Sequence, residues 1–133
     1  DTAMAILNNR FQIMAQYRKL VIGPLVKQEL ARVDASVRYR FRRAKRLLSR
    51  ETSLLEDRHH VRIESMLAHS QALKTIYEKR LALQQIWART SANGHDMLAA
   101  MKDWVHEAET SGIQALRDFA AQLKTYSLRP TGA

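Results

Sequence analysis

The sequence predicts an all-α fold, a bundle of about five or six helices joined by short loops. Three observations carry this. Apolar residues recur at helical spacing through most of the chain. Glycine and proline are scarce, four and two in 133 residues, which disfavours a sheet-and-turn protein. The breaks between periodic stretches are only a few residues long, the pattern of a helical bundle.

The elements follow in order. Residues 2–22 read as a first helix, with Ala3, Ile6, Leu7, Phe11, Met14, Tyr17 and Val21 on its apolar stripe. Gly23-Pro24 should break or kink it, because proline lacks the donor N–H and restricts the residue before it. Pro24 suits the first turn of a new helix over 24–33, with Leu25, Leu30 and Val33 buried. Residues 34–50 alternate in part and could be misread as a strand. Val37, Phe41, Ala44 and Leu48 instead fit a helix, with Asp34 or Ser36 as its cap. A helix over about 57–68 should turn His60, Ile63 and Met66 or Leu67 inward. Ser70 is a plausible cap for the long helix 71–89, built on Leu73, Ile76, Tyr77, Leu83, Ile86 and Trp87.

Residues 90–94, TSANG, are the plainest loop signal, and Asp96 should cap the next helix. The stretch Met97–Tyr126 organises the rest. It is a pair of amphipathic helices, one on Met97, Met101, Trp104 and Ala108, the other on Ile113, Leu116, Ala120 and Leu123. Leu98, Val105 and Phe119 widen the two stripes. Gly112 supplies a left-handed stop, and Ser111 with Gln114 forms a capping-box signature. Neither helix is long enough to stand alone in water, so the rest of the chain must cover both stripes.

The composition excludes several classes. There is no cysteine, so disulfides and thiolate metal sites are out. No apolar run approaches a membrane span, and Met4–Leu7 is too short for a signal-peptide core. Length suggests one domain over 1–133. The chain starts at Asp1, as expected of a piece of a longer protein or of one that has lost its natural start. The net charge of +9 is one-sided. Residues 1–50 hold twelve Lys and Arg against three acids, a basic helical arm. Residues 51–133 hold ten against ten, a charge-neutral helical core. Such asymmetry points to an anionic partner for the arm: nucleic acid, anionic lipid headgroups or an acidic protein face. The candidate contact residues are Arg38, Arg40, Arg42, Arg43, Lys45 and Arg46, six cations with no local acid. Arginine suits phosphate because its planar fork matches an oxyanion bidentately. The bland alternative is a solvated helix face.

Nothing else rises above background. The five histidines include no pair at i, i+4 for a metal. Asp103 and Glu107 share a helix face, but like charges at that spacing are ordinarily solvated surface. Trp87 and Trp104 lie on apolar stripes and read as core. No catalytic, cofactor-binding or metal-ligating residue is assigned.

Two resemblances add to this. The order AILNNRFQIMAQYRKLVIGPL, FRRAKRLLSRE, ALKTIYEKRLALQQIW and MKDWVHEAETSGIQALRDFAAQLKTYSLRP resembles the C-terminal region of bacterial membrane fatty acid desaturases of the DesA type. That resemblance implies an accessory domain on the cytoplasmic face of the inner membrane. It would be non-catalytic alone, because the family's HxxxxH and HxxHH iron boxes are absent and Glu56 stands three positions before His59. Iron would belong to the parent enzyme. The implied partners are its catalytic membrane part, anionic lipid headgroups and a reductase. The basic helix, the long helix ending in Trp87 and the W…A..SGI..L..FA..L pattern are also similar to the helical part of DDE-type insertion-sequence transposases. Those enzymes use an acid triad on a sheet-containing core. This second resemblance implies a DNA-binding helical module with nucleic acid on the basic patch.

Overall fold

A computed structural model describes residues 2–88 and 94–128. The chain is all-α, with no strand among the described residues. The helices are α1 (Thr2–Asn8), α2 (Arg10–Tyr17), α3 (Gly23–Arg32), α4 (Ala44–Ser49), α5 (Asp57–Ala68), α6 (Gln71–Ala88), α7 (Gly94–Glu109) and α8 (Gln114–Leu128). A π-helical turn, Arg18–Ile22, joins α2 to α3, and 3₁₀ turns occupy Ala35–Phe41 and Thr52–Leu54.

The first predicted helix is interrupted at Asn9. The Asn9 amide is shared between the carbonyls of Ala5 and Ile6, both at 3.2 Å, and its side chain donates to Ala5 O at 2.7 Å. Such local bonding competes with regular helix, yet the inward face runs on through it, with Ile6, Ile13 and Tyr17 at i, i+7 and i+11. Ile6, Ile13, Tyr17, Val21 and Ile22 are buried, while Phe11 is 76 % exposed instead of inward. Gly23-Pro24 does not interrupt the chain of helices, although the winding changes just before it and Pro24 sits in the first turn of α3 as expected. Gly23 N–H donates five residues back, to Arg18 O. The wider π turn takes up the register that Pro24 cannot satisfy, and α3 continues directly. Leu25, Val26 and Glu29 face the core there, with Leu30 and Val33 half-buried.

Residues 34–50 are not one α-helix. The 3₁₀ turn ends at Phe41, Arg42 is extended (φ −59°, ψ 131°), and Arg43 adopts the left-handed conformation (φ 58°) before α4 begins. No side-chain cap forms at Asp34. The inward positions nevertheless hold, since Phe41, Ala44, Leu47 and Leu48 are buried and Val37 is half-buried. In α5, Ile63 and Met66 are buried but His60 is exposed, because the inward face passes one residue to its side.

Ser70 caps α6 as the sequence suggested, accepting from Leu73 N–H at 3.1 Å. Its hydroxyl donates to the carboxylate of buried Glu29, which also accepts from Arg32 at 3.0 Å. The loop signal at residues 90–93 lies outside the described residues; α7 begins at Gly94, so Asp96 sits in its first turn rather than at the cap. The α7–α8 hairpin turns on Gly112 at φ 78°. Ser111 does not complete a capping box there. Its hydroxyl donates to Ala108 O at 2.7 Å and accepts from Ile113 N–H at 3.2 Å, while Gln114 bonds forward to Asp118.

The predicted stripes of α6, α7 and α8 meet α1–α3 in one apolar cluster. At its centre three rings pack edge to face: Tyr17–Phe119 at 5.1 Å, Trp104–Phe119 at 5.8 Å and Tyr17–Trp104 at 6.2 Å. The ring quadrupoles, negative on the face and positive at the edge, favour this arrangement. Tyr17 O–H donates to Ile76 O and Trp104 Nε1–H to Lys79 O at 2.8 Å, so both buried polar ends are satisfied. Trp87 is half-buried against the cluster.

Candidate nucleic-acid interface

The left-handed residue decides the site. With φ 58°, Arg43 holds a conformation that costs an L-residue on the order of 1–2 kcal/mol, and it turns the chain sharply into α4. Arg43, Arg46 and Arg50 then follow at i, i+3 and i+7. They face the first turns of α5, where Arg58 and Arg62 recur at i, i+4. The five arginines line one groove of about 450 Å³ together with Leu47, Glu56 and His59.

Glu56 is the single carboxylate of that lining, and it is already engaged. Its side chain accepts from the backbone N–H of His59, while its own N–H donates to His59 Nδ1 at 3.0 Å. This reciprocal capping box satisfies orphan donors at the start of α5. The carboxylate also meets Arg58 Nε at 3.1 Å, an exposed pair of little energetic weight. The groove therefore keeps a large cationic excess beside the positive end of a helix. Arginine forks so placed match oxyanions in geometry and charge.

The groove is braced from behind. Arg80 of α6, only 6 % exposed, donates Nη2 to Ser49 O at 2.7 Å, the carbonyl that ends α4. Its Nη1 reaches Gln84 Oε1 at 3.4 Å, and Gln84 in turn donates to the Glu51 carboxylate. Burial pushes the Arg80 pKa down; Tyr77, Glu51 and Tyr17 partly offset this.

Of the six arginines and lysines singled out from sequence, the structure brings two, Arg43 and Arg46, into the groove. Arg38 and Arg42 are exposed elsewhere on the 3₁₀ turn and its exit. Arg40 turns inward, donating Nη1 to Ser65 Oγ on α5 at 2.8 Å. Lys45 lies across Gly23, where a β-carbon would stand 3.2 Å from its Cε. Sequence reasoning missed Arg50, Arg58 and Arg62. The signal was present as two i, i+4 arginine pairs, but the pairs sit on different helices. Among the described residues no three His, Asp or Glu side chains are grouped to hold a metal ion. Asp103 and Glu107 are exposed, with Glu107 paired to Lys79.

The family model of DDE transposases of the ISL3 type covers residues 3–129, and the chain belongs to that family. It is 30% identical over 123 residues to the transposase for insertion sequence element IS1001 of Bordetella parapertussis. The alignment takes in 91% of this chain and 30% of that protein, so the chain spans under a third of the relative's length. No solved structure matches it significantly.

The desaturase reading is thereby corrected. The family match takes in nearly the whole stretch on which that resemblance rested, and the resemblance had rested on the overall string rather than on a chemical motif. The oxidoreductase and lipid-metabolism expectations fall with it. The membrane enzyme, anionic lipid headgroups, reductase and iron lose their basis as partners. Among the described residues no helix is long and apolar enough to cross a membrane.

Proposed function

We propose that this chain is a DNA-contacting helical region of a transposase, and that the groove between α4 and α5 seats the phosphate backbone. The observation that carries the reading is the convergence of Arg43, Arg46, Arg50, Arg58 and Arg62 on one groove whose only carboxylate is held by its own helix. Contacts of this kind position a duplex without reading its sequence. They release condensed counterions, so affinity falls steeply with salt.

The test is a duplex titration across ionic strength by fluorescence anisotropy. Five phosphate contacts give a log–log salt slope of about −4.5 and a loss of about 500-fold in affinity between ~50 and ~200 mM salt. Replacing Arg43, Arg46 and Arg50 together by alanine leaves two contacts, a slope of about −1.8 and a loss of about 12-fold over the same range. An unchanged slope in the triple variant, with its melting temperature preserved, refutes the groove as the contact.

A further inference from the structure

We infer that Tyr39 is a stacking platform for an unpaired DNA base beside the arginine groove. The inference rests on the DNA reading above and adds a preference that phosphate contacts alone do not give. A 3₁₀ helix has three residues per turn, so residues at i and i+3 eclipse. Ser36 and Tyr39 therefore share one face of the Ala35–Phe41 turn, and both are exposed. Three residues of the turn anchor it to the rest of the molecule. Phe41 is 2 % exposed in the core, Val37 is half-buried, and Arg40 is tied to Ser65 on α5. The turn is held rigidly while the Tyr39 ring stands outward, 53 % exposed.

The Arg40 guanidinium lies 5.4 Å from the ring centroid, within cation–π range. It backs the ring with positive charge and leaves the remainder of the ring to solvent. Arg42, also exposed, follows just past the turn, and Arg43, the first arginine of the groove, is four residues from Tyr39. A chain of that length reaches about 15 Å at most, so a strand whose phosphates sit in the groove passes within reach of the ring. An exposed aromatic among arginines is the arrangement that binds unpaired bases, since every base offers a π face once it leaves the stack. In an intact duplex those faces are occupied by neighbouring base pairs. The ring should therefore favour DNA with a single-stranded extension over blunt duplex.

The experiment compares a blunt duplex with the same duplex carrying a short single-stranded extension, titrated by anisotropy with the unaltered chain, Tyr39→Ala, Tyr39→Phe and Phe11→Ala. Phe11 is the control, an exposed ring with Arg10 at 4.6 Å on α2, outside the groove. The expected result is tighter binding of the extended DNA, a preference of about tenfold. Tyr39→Ala should abolish it with duplex affinity unchanged, while Tyr39→Phe and Phe11→Ala keep it. Duplex binding with no preference, or a preference that survives Tyr39→Ala or is lost equally in Phe11→Ala, overturns the platform and leaves the phosphate groove standing. No binding of either DNA overturns both.

Discussion

Tyr17 tests whether the basic N-terminal part and the helices that follow fold as one body. It comes from α2, yet it is fully buried against Trp104 of α7 and Phe119 of α8, and its hydroxyl reaches Ile76 of α6. Truncating a buried aromatic to alanine costs about 3–5 kcal/mol in lost transfer energy and residual cavity. With 133 residues at about 2.1 cal/mol/K each, the unfolding entropy is about 280 cal/mol/K, so about 4 kcal/mol corresponds to a drop of about 14 °C. Tyr17→Phe keeps the ring and both edge-to-face contacts and removes one hydrogen bond, a loss of about 1 kcal/mol and about 4 °C. The assay is thermal unfolding followed by circular dichroism and by the fluorescence of Trp87 and Trp104. Both probes should report one transition, displaced together. If Tyr17→Ala melts within a few degrees of the unaltered chain, the reasoning fails. It fails equally if α6–α8 keep their original midpoint while a separate early transition appears.

Alkali offers a second test of the same group. Burial raises the Tyr17 pKa well above its ordinary value, and that of Tyr77 in the same direction. A raised folded-state pKa means that the stability is fully present below about pH 10 and is lost as pH rises, by up to about 1.4 kcal/mol per pH unit for Tyr17. Denaturant titrations at rising pH should show this decline, and Tyr17→Phe should flatten most of it; an equal decline in that variant would exclude Tyr17 as its source. At Gly112, φ is 78° and a β-carbon would meet nothing within 4 Å. Gly112→Ala should therefore destabilise by about 1 kcal/mol through backbone strain alone, and Gly112→Asn by less. A loss of several kcal/mol in a urea melt would mean that packing, not conformation, fixes the glycine.

Much of the fold was legible because periodicity survives changes in local geometry. Phe41, Ala44 and Leu48 reach the core even though the helix drawn through them is broken at Arg42-Arg43, since the apolar side chains select their side whatever the backbone does between them. Phe11 and His60 were misplaced for the complementary reason. Both lie at the edge of their stripes, and apolar spacing alone does not fix how far round a helix burial extends. Gly23-Pro24 read as a break because proline forbids an ordinary i−4 bond; the π turn that absorbs it is stabilised by packing of Val21 and Ile22 on either side. The cationic patch was visible as charge, but its membership was not. Charge counts residues along the chain, whereas the groove sums them across two helices.

By itself the sequence determined an all-α chain, its apolar stripes, its glycine stop at Gly112 and a basic excess in its first fifty residues. These follow from local spacing and composition, which each segment carries without its neighbours. Only the tertiary structure decided that Arg43 and Arg46 join Arg50, Arg58 and Arg62, that Arg40 is spent inward on Ser65, and that Tyr39 faces out. Those outcomes depend on one left-handed residue and on the docking of α4 against α5. Both are properties of the packed molecule, because the strain at Arg43 persists only where surrounding contacts hold it.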